Sequence, residues 1–170
     1  MGLIGALGEW GVEEACRQIV ELQALGLELP KVSVNVSALQ FNPAFIARVS
    51  EVLAKTGLRP MRLQLELTEG IMLDDTEATI RALSHLKDLG VRLSIDDFGT
   101  GYSSLSYLSR FPLDELKIDR SFVIDFDKSE NDASLVIAII AMAKSMRLHL
   151  VAEGVETHEQ YHFLRNNGAS

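Results

Sequence analysis

The chain has 170 residues, of which 47% are hydrophobic and 24% charged, enough for one globular domain with a sizeable core. Its net charge of −8 and the absence of a Lys/Arg-rich stretch argue against binding to DNA or RNA polymers. The longest apolar run is about half of the ~20 residues that a membrane span needs, and the single cysteine, Cys16, is typical of a reducing, cytoplasmic protein.

Helices and strands are predicted to alternate along the chain. A helix comes first, from Val12 to Leu25, because Ala15, Ile19 and Leu22 recur on one of its faces. Five short apolar strands are predicted at Val32–Val36, Leu63–Leu67, Val91–Ile95, Glu115–Ile118 and His149–Ala152. The helices after them are predicted at residues 43–56, from a capping box of Asp74 and Glu77 to Gly90, at 132–146, and from a cap of Thr157 and Gln160 to Asn167.

The strands begin about every 30 residues, which is the length of one βα unit. Strands this short and apolar are typical of a parallel sheet that is buried on both faces. Two architectures remain open: a doubly wound sheet, or a partial (β/α)₈ barrel of the TIM type with five parallel βα units behind a leading helix. A complete barrel typically takes ~250 residues, so this chain would form roughly two-thirds of one.

Polar and acidic residues stand at or just after the end of every predicted strand. Because the carboxyl ends of parallel strands meet at one edge, these side chains are expected to share one mouth. In chain order they are Asn35, Glu66 with Glu69, Asp96 with Asp97, Lys117 with Asp119, and Glu153 with Glu156.

Several carboxylates in one place must raise each other's pKa or bind a cation. A ligand set of Asn, Asp and Glu oxygens favours Mg²⁺ or Mn²⁺ over Zn²⁺. The adjacent Asp96 and Asp97 suit two metals, which would stabilise the attacking and leaving oxygens of a phosphoryl displacement. Lys117 supplies a cation that can orient hydroxide or neutralise phosphate. The pattern predicts a metal-dependent phosphodiester hydrolase.

Each of these features also has a purely structural interpretation. A lone Asp or Glu at a strand end is more often a helix cap or an ion-pair partner, but five successive strands with this ending favour a site. The loop from Phe98 to Leu105 has two glycines and three hydroxyl residues that can face a phosphate, although it matches no phosphate-binding motif. His158 and His162 have metal-ligand spacing on a helix, and we interpret them as an exposed face. Cys16 is interpreted as a small buried hydrophobe.

Five segments of the chain resemble the EAL domains, bacterial phosphodiesterases that hydrolyse cyclic di-GMP to linear pGpG. The resemblance extends over essentially the whole chain. It implies a (β/α)₈ barrel with two Mg²⁺ or Mn²⁺ ions, and a homodimer in the complete domain. The matching segments are SVNVS from Ser33, LELTE from Leu65, IDDFGTGYSSL from Ile95, LKIDRSFV from Leu116 and VAEGVET from Val151.

The resemblance also implies a role for each matching residue. Asn35, Glu66 and Asp96 would bind the first metal, and Asp96, Asp97 and Glu153 the second. Lys117 would hold the nucleophilic water, Glu69 would anchor the loop after Asp97, and Glu156 would be a further acidic residue of the site. The loop residues expected to contact substrate are Gly99, Thr100, Gly101 and Ser103.

The chain departs from the family pattern at both ends. It has no counterpart of the Glu-Ala-Leu segment, which supplies a metal ligand and lies near a substrate-binding arginine, or of the later Gln-Gly-Tyr segment. We therefore interpret residues 1–170 as a single incomplete EAL domain without the early strands and the last strand, and expect little hydrolysis from it alone. Two other hypotheses stay open: a receptor module that binds cyclic di-GMP without cleaving it, and an open barrel that associates through its unpaired edges.

Overall fold

The computed structural model describes residues 2–71, 77–99, 108–124 and 130–169. Within these ranges the chain alternates helices and strands, as the sequence predicts. The helices are α1 Gly2–Ala24, α2 Pro43–Thr56, α3 Glu77–Asp88, α4 Arg120–Ile124, α5 Glu130–Ser145 and α6 His158–Asn167. The strands are β1 Val32–Val36, β2 Leu63–Thr68, β3 Arg92–Phe98, β4 Glu115–Ile118 and β5 His149–Ala152.

The five strands form one parallel sheet in the order of the sequence, β1-β2-β3-β4-β5. A consecutive order is that of barrel strands and not of a doubly wound sheet, in which the order reverses. The prediction of five parallel βα units in the barrel order is confirmed. All five carboxyl ends therefore lie at one edge.

The two faces of the sheet differ in chemistry. The face that packs against the helices is made of fully buried leucine and isoleucine side chains. The opposite face, which would be the interior of a barrel, carries polar side chains at the alternate positions of the same strands. β2 is buried along its length, as predicted, but only one of its faces is apolar. The apolar face comprises Leu65, Leu67, Leu93, Ile95, Leu116 and Ile118.

Two helices begin at caps that can be read from the sequence. The side chain of Asn42 accepts a hydrogen bond from Phe45 N at 3.0 Å, just before Pro43. Thr157 and Gln160 form the predicted capping box at the start of α6. The predicted cap at Asp74 lies outside the described residues.

Two element boundaries differ from the predictions by three residues or more. α1 begins at Gly2 and not at Val12, although Gly5, Gly8 and Gly11 lower the helix propensity of this stretch. Once residues 12–24 are helical, each further residue needs only its own backbone ordered, so the helix extends. β3 continues to Phe98, beyond the predicted Ile95, and this extension shapes the candidate site. In the described part of the chain, no helix is long and apolar enough to cross a bilayer.

Candidate functional site

One side chain from each strand or its end contributes to a polar cluster at the carboxyl edge of the sheet. Asn35 lies on β1, Glu66 on β2, Asp96 on β3 and Lys117 on β4, and Glu153 directly follows β5. Asn35 is paired with Glu66 in the sheet register, which brings these two side chains level. The structure thus brings five of the predicted residues together.

Lys117 lies at the centre of this cluster. Its Nζ is 2.9 Å from Glu66 Oε2, 3.0 Å from Asp96 Oδ1 and 2.6 Å from Glu153 Oε1. The lysine is 8% exposed, so these contacts take place away from bulk water. One ammonium group therefore contacts carboxylates on β2, on β3 and directly after β5.

The charge of Lys117 is stabilised by its partners. Burial lowers the pKa of Lys117, but the hydrogen bonds that its ammonium donates to Glu153, Glu66 and Asp96 outweigh this effect and raise the pKa above its ordinary value. The ammonium is therefore protonated at neutral pH. Three carboxylates face one ammonium, so the cluster carries an excess of negative charge that favours the binding of further cations.

The amide of Asn35 tests whether a divalent cation fits. Its terminal atom that faces the carboxylates lies 3.2 Å from Asp96 Oδ2 and 3.3 Å from Glu66 Oε2. In the absence of a cation, the amide nitrogen takes this position and donates to both. A half turn of the amide replaces the nitrogen with oxygen, and three oxygens then converge.

The two distances from the Asn35 amide are compatible with one small divalent cation. Neighbouring ligands around Mg²⁺ are about 3 Å apart, given metal–oxygen bonds of ~2.1 Å. Among the described residues, no three His, Cys, Asp or Glu side chains form a ready metal-binding group. The fit therefore depends on Asn35 as the third oxygen ligand, beside Glu66 and Asp96.

A β-bulge explains how two consecutive aspartates reach the same mouth. In a regular strand, Asp96 and Asp97 would point to opposite faces. Between the pairs Ile95–Leu116 and Phe98–Ile118, however, β3 has one residue more than β4. Ile95 and Phe98 are both buried against the helices, so Asp96 and Asp97 together occupy a single position on the inner face.

Asp97 has an unusual backbone and an unusual carboxyl. Its φ angle is 54°, in the left-handed region that few residues other than glycine adopt. Burial of the carboxyl group raises the pKa of Asp97, and the charges of Asp96 and Asp119 and a hydrogen bond to Asp119 raise it further. Hydrogen bonds from Ser121, by contrast, lower the pKa of Asp119. Asp119, noted in the sequence but given no role, thus joins the acidic group.

Two predicted acidic residues lie farther along the same edge. Glu69 is 7% exposed and occupies a 3₁₀ turn directly after β2. Glu156 is exposed, and its backbone N–H donates to Gln160 Oε1 at 2.7 Å. Gln160 was predicted only as a helix cap, yet it also fixes the loop that bears Glu156. The predicted roles of Glu69 and Glu156 remain predictions.

Part of the predicted phosphate loop falls outside the described residues. Thr100, Gly101 and Ser103 belong to that part, and Gly99 is exposed immediately after β3. His158 and His162 are exposed on α6 with ring centroids 6.4 Å apart, in keeping with a surface face. Cys16 is fully buried, as predicted.

Comparisons with known proteins identify relatives of the chain. The family model of the EAL domain matches residues 1–170. The cyclic di-GMP phosphodiesterase NbdA of Pseudomonas aeruginosa is 47% identical over 167 residues, which make up 98% of this chain and 21% of that protein. The chain therefore spans about a fifth of the length of this relative.

Solved structures of similar proteins share the fold. The PaMucR phosphodiesterase, in complex with c-di-GMP, superposes with a TM-score of 0.93 at 44% identity, covering 99% of this chain and 69% of that one. BlrP1 of Klebsiella pneumoniae, at 29% identity, has a TM-score of 0.80 and covers 94% of this chain and 41% of its own. It was solved with cyclic di-GMP and either manganese or calcium.

Proposed function

The chain belongs to the EAL domain family, and on that premise we propose that its domain hydrolyses cyclic di-GMP to linear pGpG. The observation that carries the proposal is the convergence of Asn35, Glu66 and Asp96 beside Lys117 at the carboxyl edge of the sheet. This is the edge at which barrels of parallel strands place their active sites.

We propose Mg²⁺ or Mn²⁺ as the cofactor, since all the candidate ligands are oxygens. Asn35, Glu66 and Asp96 would hold one ion, and Asp96, Asp97 and Glu153 a second. When bound, the ions would supply activation of water and neutralisation of charge on the phosphate. The bulge in β3 supports this assignment, because it brings Asp96 and Asp97, two neighbours in the sequence, to the same face of the sheet.

The protein's own side chains would position the attacking water. Lys117 remains protonated and donates hydrogen bonds, so it orients the attacking water and does not remove its proton. The surrounding carboxylates of Glu66, Asp96 and Glu153 keep the lysine in place. In the reaction, the water oxygen bonds to phosphorus as one phosphodiester P–O bond breaks. The water loses one proton to solvent, and the departing sugar oxygen gains one from solvent to become a hydroxyl group.

A lysine substitution tests this proposal in a version of the chain extended at both ends by its natural flanking residues. We expect Lys117→Met to lower kcat by at least ~10²-fold, measured as pGpG formation by chromatography in the presence of Mg²⁺. Lys87→Met is the matched control: Lys87 also forms a partly buried ion pair, 2.6 Å from Asp114, but at the opposite end of the sheet. It should leave turnover near that of the wild type.

Two outcomes would contradict the proposal. One is a Lys117→Met variant that turns over as fast as the Lys87→Met control. The other is a folded wild-type domain that binds cyclic di-GMP in a calorimeter with Mg²⁺ present and never cleaves it, which is the behaviour of a receptor module.

We further propose that the 170 residues form the central part of one larger barrel. Ser33 and Asn35, on the inner face of β1, are exposed, whereas Gln64 and Glu66, the equivalent residues of β2, are buried. Further strands beside β1 would cover Ser33 and Asn35. We also propose a cytoplasmic location, which the single cysteine of the chain supports, and sedimentation of the extended protein would test a homodimer.

A further inference from the structure

A second polar cluster lies on the same inner face of the sheet as the candidate metal site, closer to the amino ends of the strands. Lys31, immediately before β1, donates to Gln64 Oε1 at 2.7 Å and to Glu115 Oε2 at 2.9 Å. Gln64 Nε2 in turn donates to Glu115 Oε1 at 2.6 Å and to Ser94 Oγ at 3.1 Å. Lys31, Gln64, Ser94 and Glu115 therefore form a hydrogen-bonded network, which we call the lower layer.

The lower layer is in register with the candidate site. Gln64, Ser94 and Glu115 each lie two residues before a site residue of the same strand, so they share its face about 7 Å further down. The lower layer bridges β2 and β4 through Gln64 and Glu115. Directly above, the site bridges the same two strands through Glu66 and Lys117, 2.9 Å apart.

Stability alone does not account for polar side chains at this depth. Ser94 is fully buried, Gln64 is 1% exposed and Glu115 is 8% exposed. Buried ion pairs and amides lose hydration, and apolar residues of the same volume are often as stabilising or more so. Bulky apolar side chains usually fill the layers of a barrel interior. The lower layer also pairs one ammonium with one carboxylate, so it needs no metal for neutrality.

We propose that Gln64 and Glu115 are positioning residues, which hold β2 against β4 so that Glu66 and Lys117 are preorganised for metal and water. A hydrogen-bonded network accepts a narrow range of distances and angles, whereas apolar packing tolerates small sliding movements. Displacements of about 1 Å at a catalytic group are enough to impair a reaction. The inference rests on the proposed function, since it assigns the lower layer to the same site.

The test compares Glu115→Leu with the conservative Glu115→Gln. Leucine fills the space without accepting hydrogen bonds, while glutamine keeps one acceptor oxygen and so retains one of the two bonds from Gln64 and Lys31. Leu116→Val is the matched control, because Leu116 is fully buried on the opposite face of the same strand. In the metal-free chain, the ¹H–¹⁵N NMR signal of the Lys117 ammonium reports its hydrogen bonds. The dissociation constant of Mn²⁺, measured by electron paramagnetic resonance, reports the ligand set.

We expect Glu115→Leu to shift or abolish the Lys117 signal and to weaken Mn²⁺ binding at least tenfold. Glu115→Gln, which keeps one of the two bonds, should change the signal less and weaken Mn²⁺ binding by a smaller factor. A Glu115→Leu variant that matches Leu116→Val in signal and affinity would overturn the proposal. If Glu115→Leu does not fold, Ser94→Ala and Lys31→Met are compared in the same way. The Lys117 signal needs neither metal nor substrate, so its result stands even if the extended protein cleaves no cyclic di-GMP.

Discussion

Asp97 combines a costly backbone conformation with a carboxyl group whose charge is disfavoured. A φ of 54° is adopted by aspartate more readily than by most residues, but it still costs free energy relative to an ordinary strand. The raised pKa shows that the surroundings oppose ionisation of this carboxyl in the absence of metal. A strained backbone and a carboxyl group repelled by neighbouring charges support the proposal that Asp97 belongs to a binding site.

Replacement of Asp97 by asparagine should have opposite effects without and with metal. Without metal, Asp97→Asn removes a repelled charge and keeps a residue type that tolerates the left-handed region, so stability should rise by a fraction of a kcal/mol, about the scale of exposed charge interactions. With saturating Mn²⁺, the wild type should become the more stable protein, because it gains more binding energy. Thermal unfolding with chelator and with Mn²⁺ measures both.

The control for this prediction is Asp88→Asn, which removes an exposed carboxylate at the end of α3. It should change the metal-induced rise in Tm very little. If Asp97→Asn and Asp88→Asn respond to Mn²⁺ alike, Asp97 does not contribute to metal binding.

The fully buried Cys16 should be protected from alkaline pH and from thiol reagents. Burial raises the pKa of its thiol from 9.0 to about 11. Because the folded pKa is the higher one, the contribution of Cys16 to stability is complete below pH 9 and is lost as the pH rises through 11. At pH 8 a disulfide reagent should label the folded chain at least ~100-fold more slowly than the unfolded chain, since only the thiolate reacts.

Cys16→Ala separates this effect from other groups that titrate at high pH. The difference in unfolding free energy between wild type and variant should shrink between pH 8 and pH 11, by up to about 2–3 kcal/mol for two pKa units. A pH-independent difference, or rapid labelling of the folded chain, would contradict the assignment.

At this scale the sequence predicts which residues gather, but not how they are oriented. The positions of Asn35, Glu66, Asp96, Lys117 and Glu153 follow from the rule that parallel strands end at one edge. The ionic contacts of Lys117 do not follow from it, since they depend on the distances between strands. Gln64 and Glu115 were read as ordinary strand residues, because a single buried polar residue carries no periodic signal.

The bounds of the strands could also be predicted only in part from the sequence. The bounds of β1, β4 and β5 are those predicted, because turn residues flank these short strands closely. The end of β3 was placed too early, at the first aspartate. A bulge is defined by the pairing with a neighbouring strand, so the sequence of β3 alone does not reveal that its last residues continue the ladder.

The loop after β5 touches the first residue of α4, Arg120, at Gly154, which follows Glu153. Gly154 has a φ of 68°, and a Cβ atom added there would lie 2.6 Å from Arg120 Cβ. Such an overlap cannot be relieved by a side-chain rotation of Arg120. Glu153 directly precedes Gly154, and Lys117 lies three residues before Arg120. The close approach of Gly154 to Arg120 therefore helps to set the 2.6 Å contact between the side chains of Glu153 and Lys117.

We therefore expect Gly154→Ala to destabilise the chain by about 2 kcal/mol or more and to weaken Mn²⁺ binding. The control is Gly26→Ala: Gly26 also has a positive φ, 84°, but no atom lies within 4 Å of an added Cβ. Gly26→Ala should cost only about 1–2 kcal/mol, the price of the conformation itself, and leave the affinity unchanged. Equal losses of stability in denaturant titrations would show that the contact with Arg120 is unimportant.

The charge of the whole molecule explains why cations matter for its proposed chemistry. The chain carries a net charge of −8, and its acidic mouth would repel a nucleotide with two phosphates. Bound divalent cations invert the sign of the local field. The same acidity argues against nucleic-acid polymers as partners, because their binding would require a broad basic surface.

The exposed edges of the sheet lead to a prediction about the chain as a whole. In the described residues, β1 pairs only with β2 and β5 only with β4, and an apolar groove lined by Ala152, Val155 and Leu164 flanks β5. Unpaired strand edges beside apolar surface promote association. We expect the 170-residue chain to self-associate with rising concentration, and a version extended by its natural flanking residues to sediment as one defined species.

The same comparison should separate metal binding from turnover. The 170 residues hold all but one of the metal ligands that the family resemblance implies, so they should still bind Mn²⁺. Substrate positioning by the remaining strands would be missing, and kcat/KM should be at least ~10²-fold lower than in the extended version. Sedimentation velocity, Mn²⁺ titration and pGpG formation on both proteins give the three readouts. If the 170-residue chain is monomeric and as active as the extended version, the exposed edges do not matter and the proposal of a larger barrel is wrong.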